Sequence, residues 1–179
     1  MLNLLPTLLV LAASVSLYFG QPPKNIPVGL EFKIPIFSLS DSEQTLGTDA
    51  VVSYDSKILS VTKIEPGSLY PFYPDNLQDI DNVHGKAFFS GSVGFGNPQT
   101  VNGILGNVFF KAKKAGPTQI SFSWKPKSTV DSHIVPPIGA IDLLTQKPDS
   151  INLTIREAQK HELVWFFIKD VFSFDYLKF

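Results

Sequence analysis

The chain has no cysteine in its 179 residues. That excludes a disulfide scaffold, a zinc ribbon, a cysteine nucleophile and a CxxC redox pair. It also lacks a surplus of charge, with 15 Lys and Arg against 16 Asp and Glu. Neither a strongly basic nucleic-acid binder nor an acidic tail protein has that balance. No HExxH, GxSxG or phosphate-loop motif occurs, and His84, His133 and His161 have no ligand spacing. A carboxylate pair for glycoside hydrolysis is spatial rather than sequential, so a hydrolase ranks last among the readings. What the chain does have is 15 Phe together with 14 Pro and 12 Gly. Aromatic residues among frequent turn-formers predict many short strands.

Charge is also missing locally: residues 1–23 hold no charged side chain. Leu4–Phe19 is apolar or small, which predicts a hydrophobic helix serving as signal peptide or membrane anchor over 1–23. A signal peptide would carry its apolar stretch at Leu4–Leu11 and a small-x-small site at Ser14-Val15-Ser16. A retained anchor would span Leu2–Phe19, reaching about 27 Å at 1.5 Å per residue. Either reading implies an exported domain, extracellular, at the cell surface or membrane-anchored. Gly20–Asn25 is a short polar boundary.

From Val28 the period is two. Val28, Leu30, Phe32, Ile34 and Ile36 alternate with polar or small residues, and Pro35 marks an edge or a bulge. Similar alternation covers 50–55, 104–113, 119–124 and 151–156, with Ile104, Gly106, Val108, Phe110 and Ala112 expected to face inward. Leu59–Ile64, Ala87–Val93 and Ala140–Leu144 are weaker strand candidates. Eight or nine strands, each with one apolar face, must pack sheet on sheet. The predicted fold is an all-β, two-sheet β-sandwich over 26–157, with a tail over 158–179.

Four stretches in order carry a resemblance. They are Gly47-Thr48-Asp49-Ala50-Val51-Val52-Ser53-Tyr54-Asp55, running on to Pro66-Gly67; Gly85–Ser92; Gly103–Lys113 followed by Ala115–Thr118; and Thr129–Ser132 with Asp142-Leu143-Leu144 after it. Together they resemble a cohesin domain. The resemblance implies a jelly-roll topology and a non-catalytic binding module for a dockerin-type protein partner, linked to polysaccharide degradation. It places partner contacts on one sheet face, at Asp49 and its strand neighbours Val51 and Ser53. Where the family often has Asn two residues before that Asp, this chain has Gly47.

The wider superfamily includes carbohydrate-binding modules, so an alternative site is the aromatic cluster Tyr70, Phe72 and Tyr73, with Trp124, stacking on a polysaccharide. The bland alternative is that these rings plug one end of the sandwich. Asp75, Asp79 and Asp81 form an oxygen-rich stretch that could hold Ca²⁺, but they lack the register of an EF-hand loop. A third functional class is a structural surface or adhesion domain with no ligand. The tail has six consecutive apolar residues, Leu163–Ile168, broken by Lys169 and Asp170. It reads as an interfacial helix, a docking segment or an extra element packed on the sandwich.

Overall fold

The computed structural model describes residues 15–162, apart from Phe95, Ala140 and the side chain of Ser42. Eleven strands follow in order: β1 Val15–Phe19, β2 Ile26–Pro27, β3 Glu31–Thr45, β4 Gly47–Tyr54, β5 Leu59–Pro66, β6 Gln78–Asp81, β7 Lys86–Ser92, β8 Gln99–Ala112, β9 Gly116–Phe122, β10 His133–Val135 and β11 Ile151–Arg156. One sheet has the order β1-β3-β8-β5. The other runs β2-β11-β9-β4-β7-β6, with β10 beside β4. All pairs are antiparallel except β2 with β11. The predicted sandwich is present, and among the described residues no helix is long and apolar enough to cross a membrane.

Alternation builds the core, because successive side chains of a strand face opposite sides. Phe32, Ile34 and Ile36 point inward from β3, and Ala50, Val52 and Tyr54 from β4. They meet Val108 and Phe110 from β8 and Ile120 and Phe122 from β9 in one buried cluster. Phe110 takes Phe32 on its face and Tyr54 on its edge, at centroid distances of 5.8 and 5.6 Å. Pro35 is tolerated inside β3 because β1 stops beside it, with Phe19 opposite Ile36. There the Gly20 N–H donates to the Pro35 carbonyl at 2.7 Å.

The expected inward row of β8 is corrected in its first half. Ile36 pairs with Gly106 but Phe37 pairs with Ile104, leaving Leu105 as an extra residue. Such a bulge reverses the facing of everything beyond it. Leu105 is therefore buried and Ile104 exposed. Gly106 allows a close approach: a Cβ there would lie 2.6 Å from the Phe89 ring.

Two expectations about elements also change. Val15–Phe19 is a strand of the sandwich, so the expected helix does not extend through Phe19; residues 1–14 lie outside the described residues. The reason is local: Leu17 faces the core at 1% exposure. Phe19 stacks on Phe122 at 4.0 Å, while Tyr18 points outward onto Phe37. Of the weaker candidate Ala140–Leu144, residues 141–144 are not a strand, and the short strand β10 lies before them instead. At the other end Arg156 grips Glu162 with two bonds, of 2.8 and 2.5 Å. The tail beyond it, 163–179, lies outside the described residues.

The Arg156 hydrogen bond holds the Glu162 carboxyl well below its usual range, at about 2. A depressed carboxyl pKa adds stability above its unfolded value, and that contribution is lost as pH falls through the folded one. Carboxyl NMR should therefore show Glu162 titrating near pH 2, and Arg156→Ala should return it to the ordinary glutamate range. Packing yields a second expectation. Leu17→Ala should cost about 2–4 kcal/mol in chemical denaturation, as a buried Leu truncation does. Thr118→Val should be neutral or stabilising, because the buried Thr118 hydroxyl has no partner.

Candidate functional site

Strand β4 carries the expected partner contacts, and its alternation puts Asp49, Val51 and Ser53 together on the outer face. Each lies in a cross-strand row. Asp49 sits between His133 of β10 and Ser90 of β7. Val51 is opposite Phe88, which is opposite Asp79 of β6. Ser53 sits between Ser121 of β9 and Lys86 of β7. The face thus sets serines, the Asp49 and Asp79 carboxylates and Lys86 around Val51 and Phe88 as its apolar centre.

The far side of β4 is shared by two strands. β10 pairs with Gly47–Asp49 and β9 with Val52–Tyr54, leaving Val51 at the seam. A buried Ser132 closes it: the Val51 N–H donates to Ser132 Oγ at 2.9 Å, and that hydroxyl donates to the Val51 carbonyl at 3.2 Å. Ser123 completes the join with its N–H on the same carbonyl and its hydroxyl 2.8 Å from Ser53. His133 is oriented through Nδ1. Nδ1 lies 2.9 Å from the Asp131 carbonyl, which can only accept, so that nitrogen carries a proton. Nε2 lies 3.5 Å from the Asp49 carboxylate.

Asp142 holds β10 in place. One carboxylate oxygen accepts the N–H groups of Ile134 and Leu144, at 3.0 and 2.9 Å. The other accepts the Trp124 indole N–H at 3.3 Å. Trp124 therefore packs half-buried against the core rather than forming an exposed sugar platform. Sequence reading found Asp142 only as part of a family match. No local pattern marks it, since its neighbour Ile141 is 72% exposed.

Above Asp49 the face opens into a hollow of about 230 Å³, lined by Leu46, Gly47, Asp49, Gly91, Gly94 and Val135. Glycine makes the hollow. A Cβ on Gly47 would lie 2.7 Å from the Gly91 carbonyl oxygen, and one on Gly91 would lie 2.7 Å from both Tyr70 and Tyr73. The Asn that the family resemblance would place at 47 has no room here.

The aromatic cluster does not form an exposed row. Tyr70 is 4% exposed and shares a hydrogen bond with Thr48 at 2.8 Å, and Thr48 in turn bonds Ser38. Burial raises the Tyr70 phenol pKa above its ordinary value. Tyr73 meets it edge-on and is also raised by burial. Phe72 alone of the three is well exposed, at 55%. Asp75, Asp79 and Asp81 do not converge, and no group of three metal-ligating side chains occurs among the described residues. Asp81 instead accepts the backbone N–H groups of Val83 and His84 in an Asx turn. The His84 N–H lowers its pKa first, and the His84 ring adds to the effect.

No family model and no curated protein matches the sequence. Solved structures do. The third cohesin of ScaC from Acetivibrio cellulolyticus, in complex with the ScaB dockerin, superposes with a TM-score of 0.63 at 12% identity, over 80% of this chain and 99% of that one. A cohesin of OlpA from Clostridium thermocellum, also in a cohesin–dockerin complex, gives 0.57 at 13%, over 79% and 99%. The cohesin module of a family 33 glycoside hydrolase from Clostridium perfringens gives 0.53 at 12%, over 82% and 100%. The fold is that of a cohesin module. Within this cohesin fold, β4 and its outer neighbours make a continuous face, with the glycine hollow at its upper edge.

Removing the Asp142 carboxylate strands two backbone N–H groups and the indole. Asp142→Ala should cost about 2–4 kcal/mol in urea denaturation, the scale expected for unsatisfied buried donors. Trp124 emission should shift to the red as β10 loosens. An unchanged midpoint would remove Asp142 from this role.

Proposed function

We propose that this chain is an exported, non-catalytic cohesin-like module that docks a dockerin-type partner on the outer face of β4. One observation carries the reading most strongly. Asp49, Val51 and Ser53 share a half-buried outer face, beside Ser90, Ser121 and Ser123, on the fold of modules solved with dockerins bound. Short side chains lose little rotamer freedom when a partner settles on them, which favours docking of a rigid helix. The chain outside residues 161–179 carries 13 charges of each sign. Recognition here rests on shape and hydrogen bonds more than on long-range steering.

Gly47 changes the contact expected at the top of the face. In place of a side-chain amide the partner meets the hollow beside Asp49, which accepts an apolar side chain. Asp49 supplies the polar anchor, with His133 Nε2 3.5 Å from its carboxylate. Export, attachment at the cell surface and a link to polysaccharide degradation belong to the same proposal, supported by the uncharged residues 1–23 and the setting of the neighbouring cohesins.

The test is isothermal titration of the full chain with the ScaB dockerin and with every dockerin module encoded in the genome that encodes this chain. At least one should bind with a Kd below about 10 μM, and Val51→Arg should weaken it more than tenfold, as a charge buried at an interface centre does. Lys63→Ala, on the opposite sheet, should leave it unchanged. Failure of every dockerin to bind at 100-fold higher concentration would overturn the proposal.

A further inference from the structure

We infer that the hollow beside Asp49 is a subsite for one basic side chain of the partner, an arginine or a lysine. Its apolar stem lies in the hollow and its cationic head sits on the Asp49 carboxylate. The choice of partner chemistry rests on the docking reading given above and narrows it.

Charge is the first observation. Asp49 is the one charged residue among those lining the hollow. Its side chain is 24% exposed, open to a partner yet partly withdrawn from water. Among the described residues no Lys or Arg pairs with it. His133 supplies no cation when its ring is neutral. The Asp131 carbonyl keeps the proton on Nδ1, so Nε2 then turns a lone pair towards the carboxylate from 3.5 Å.

Shape is the second. The space is about 230 Å³, with Leu46 and Val135 as carbon walls and Gly47 and Gly94 presenting no side chain. A long basic side chain buries its methylene stem in such a space while its head reaches a polar group at the rim. A wholly apolar side chain would fill the hollow too, but the docked partner would then leave the Asp49 carboxylate desolvated and unpaired, which is costly. An acidic side chain would be repelled. A basic one satisfies both the walls and the charge.

Phe72 extends the subsite. Its N–H donates to the Ser92 carbonyl at 3.2 Å, and the Ser92 N–H donates back at 2.9 Å. Ser92 is in turn opposite Gly47. Residues paired in this way project to the same side of a sheet, so Phe72 stands on the outer face with Asp49. A Cβ on Gly94 would lie 3.1 Å from the Phe72 ring, which sets that ring at the rim of the hollow. At 55% exposed it offers a cation an aromatic surface beside the carboxylate. The ring expected to stack on a sugar thus gains a place in the protein-facing site.

The experiment titrates the isotope-labelled full chain at low ionic strength and follows backbone amide shifts by NMR. The probes are Nα-acetyl-arginine amide, Nα-acetyl-lysine amide and Nα-acetyl-norleucine amide, the last being a lysine stem without the charge. The amides of Gly47, Asp49 and Gly94 should move with both basic probes. These should bind at least about fivefold more tightly than the norleucine probe, the effect of one ion pair in water. Asp49→Asn keeps the shape and removes the charge, and should bring all three probes within about twofold of one another. Asp79→Asn, on the same sheet but away from the hollow, should change nothing. Absence of shifts at the hollow, norleucine binding equal to that of the basic probes, or an equal loss in Asp79→Asn overturns the inference. The probes contain no dockerin, so the two readings separate. Probes that fail while a dockerin binds defeat the subsite alone, and probes that bind while every dockerin fails defeat the dockerin reading alone.

Discussion

Strand β4 must satisfy neighbours on both edges and a different chemistry on each face. One edge is paired along its length by β7. The other is divided between β10 and β9, and neither strand covers Val51. An unpaired backbone group at that point would carry the full penalty of a lost hydrogen bond. Ser132 removes it by acting as one residue's worth of strand. The outer face stays continuous only because this hydroxyl bridges the seam, and Asp142 in turn fixes the position of β10.

The two faces of β4 are coupled through the same register. Thr48, Ala50, Val52 and Tyr54 fill the interior while Asp49, Val51 and Ser53 stand outside. A slip of one residue would bury Asp49 and expose Val52. The buried polar chain Ser38–Thr48–Tyr70 opposes that slip, since its hydroxyls meet only in the observed register. Tyr70 therefore serves the site from below. It locks β4 from inside and, with Tyr73, occupies the space against Gly91 that shapes the hollow above. Rings that suggested a sugar platform thus act in the support of β4.

Much of the sandwich was legible because its strands alternate cleanly. Phe32, Ile34 and Ile36, or Ile151, Leu153 and Ile155, announce one buried face each. The losses have physical causes. β1 is hidden because Val15, Leu17 and Phe19 follow directly on the apolar stretch from Leu4, so their short alternation with Ser16 and Tyr18 merges into a run of apolar and small residues. The bulge at Leu105 was hidden because an extra residue is a property of pairing, and it appears only when Ile36 and Phe37 find their partners. β10 was missed because three residues are too few to show a period. The outer trio on β4 followed from alternation plus the family resemblance. The Ser132 seam and the Asp49–His133 contact, joining residues more than 80 positions apart, could not have been found by spacing.

The described residues begin and end at opposite poles of the sandwich. Val15 is level with Ser40, next to the β3–β4 turn. The other end is level with Glu31, where the Val28 N–H meets the Arg156 carbonyl and the Gly29 N–H meets the Ala112 carbonyl. Nine residues of strand separate Ser40 from Glu31, about 30 Å at the usual rise. At the lower pole Arg156 holds Glu162 through two bonds, and at the upper pole five pairs hold Val15 to Phe19 on β3.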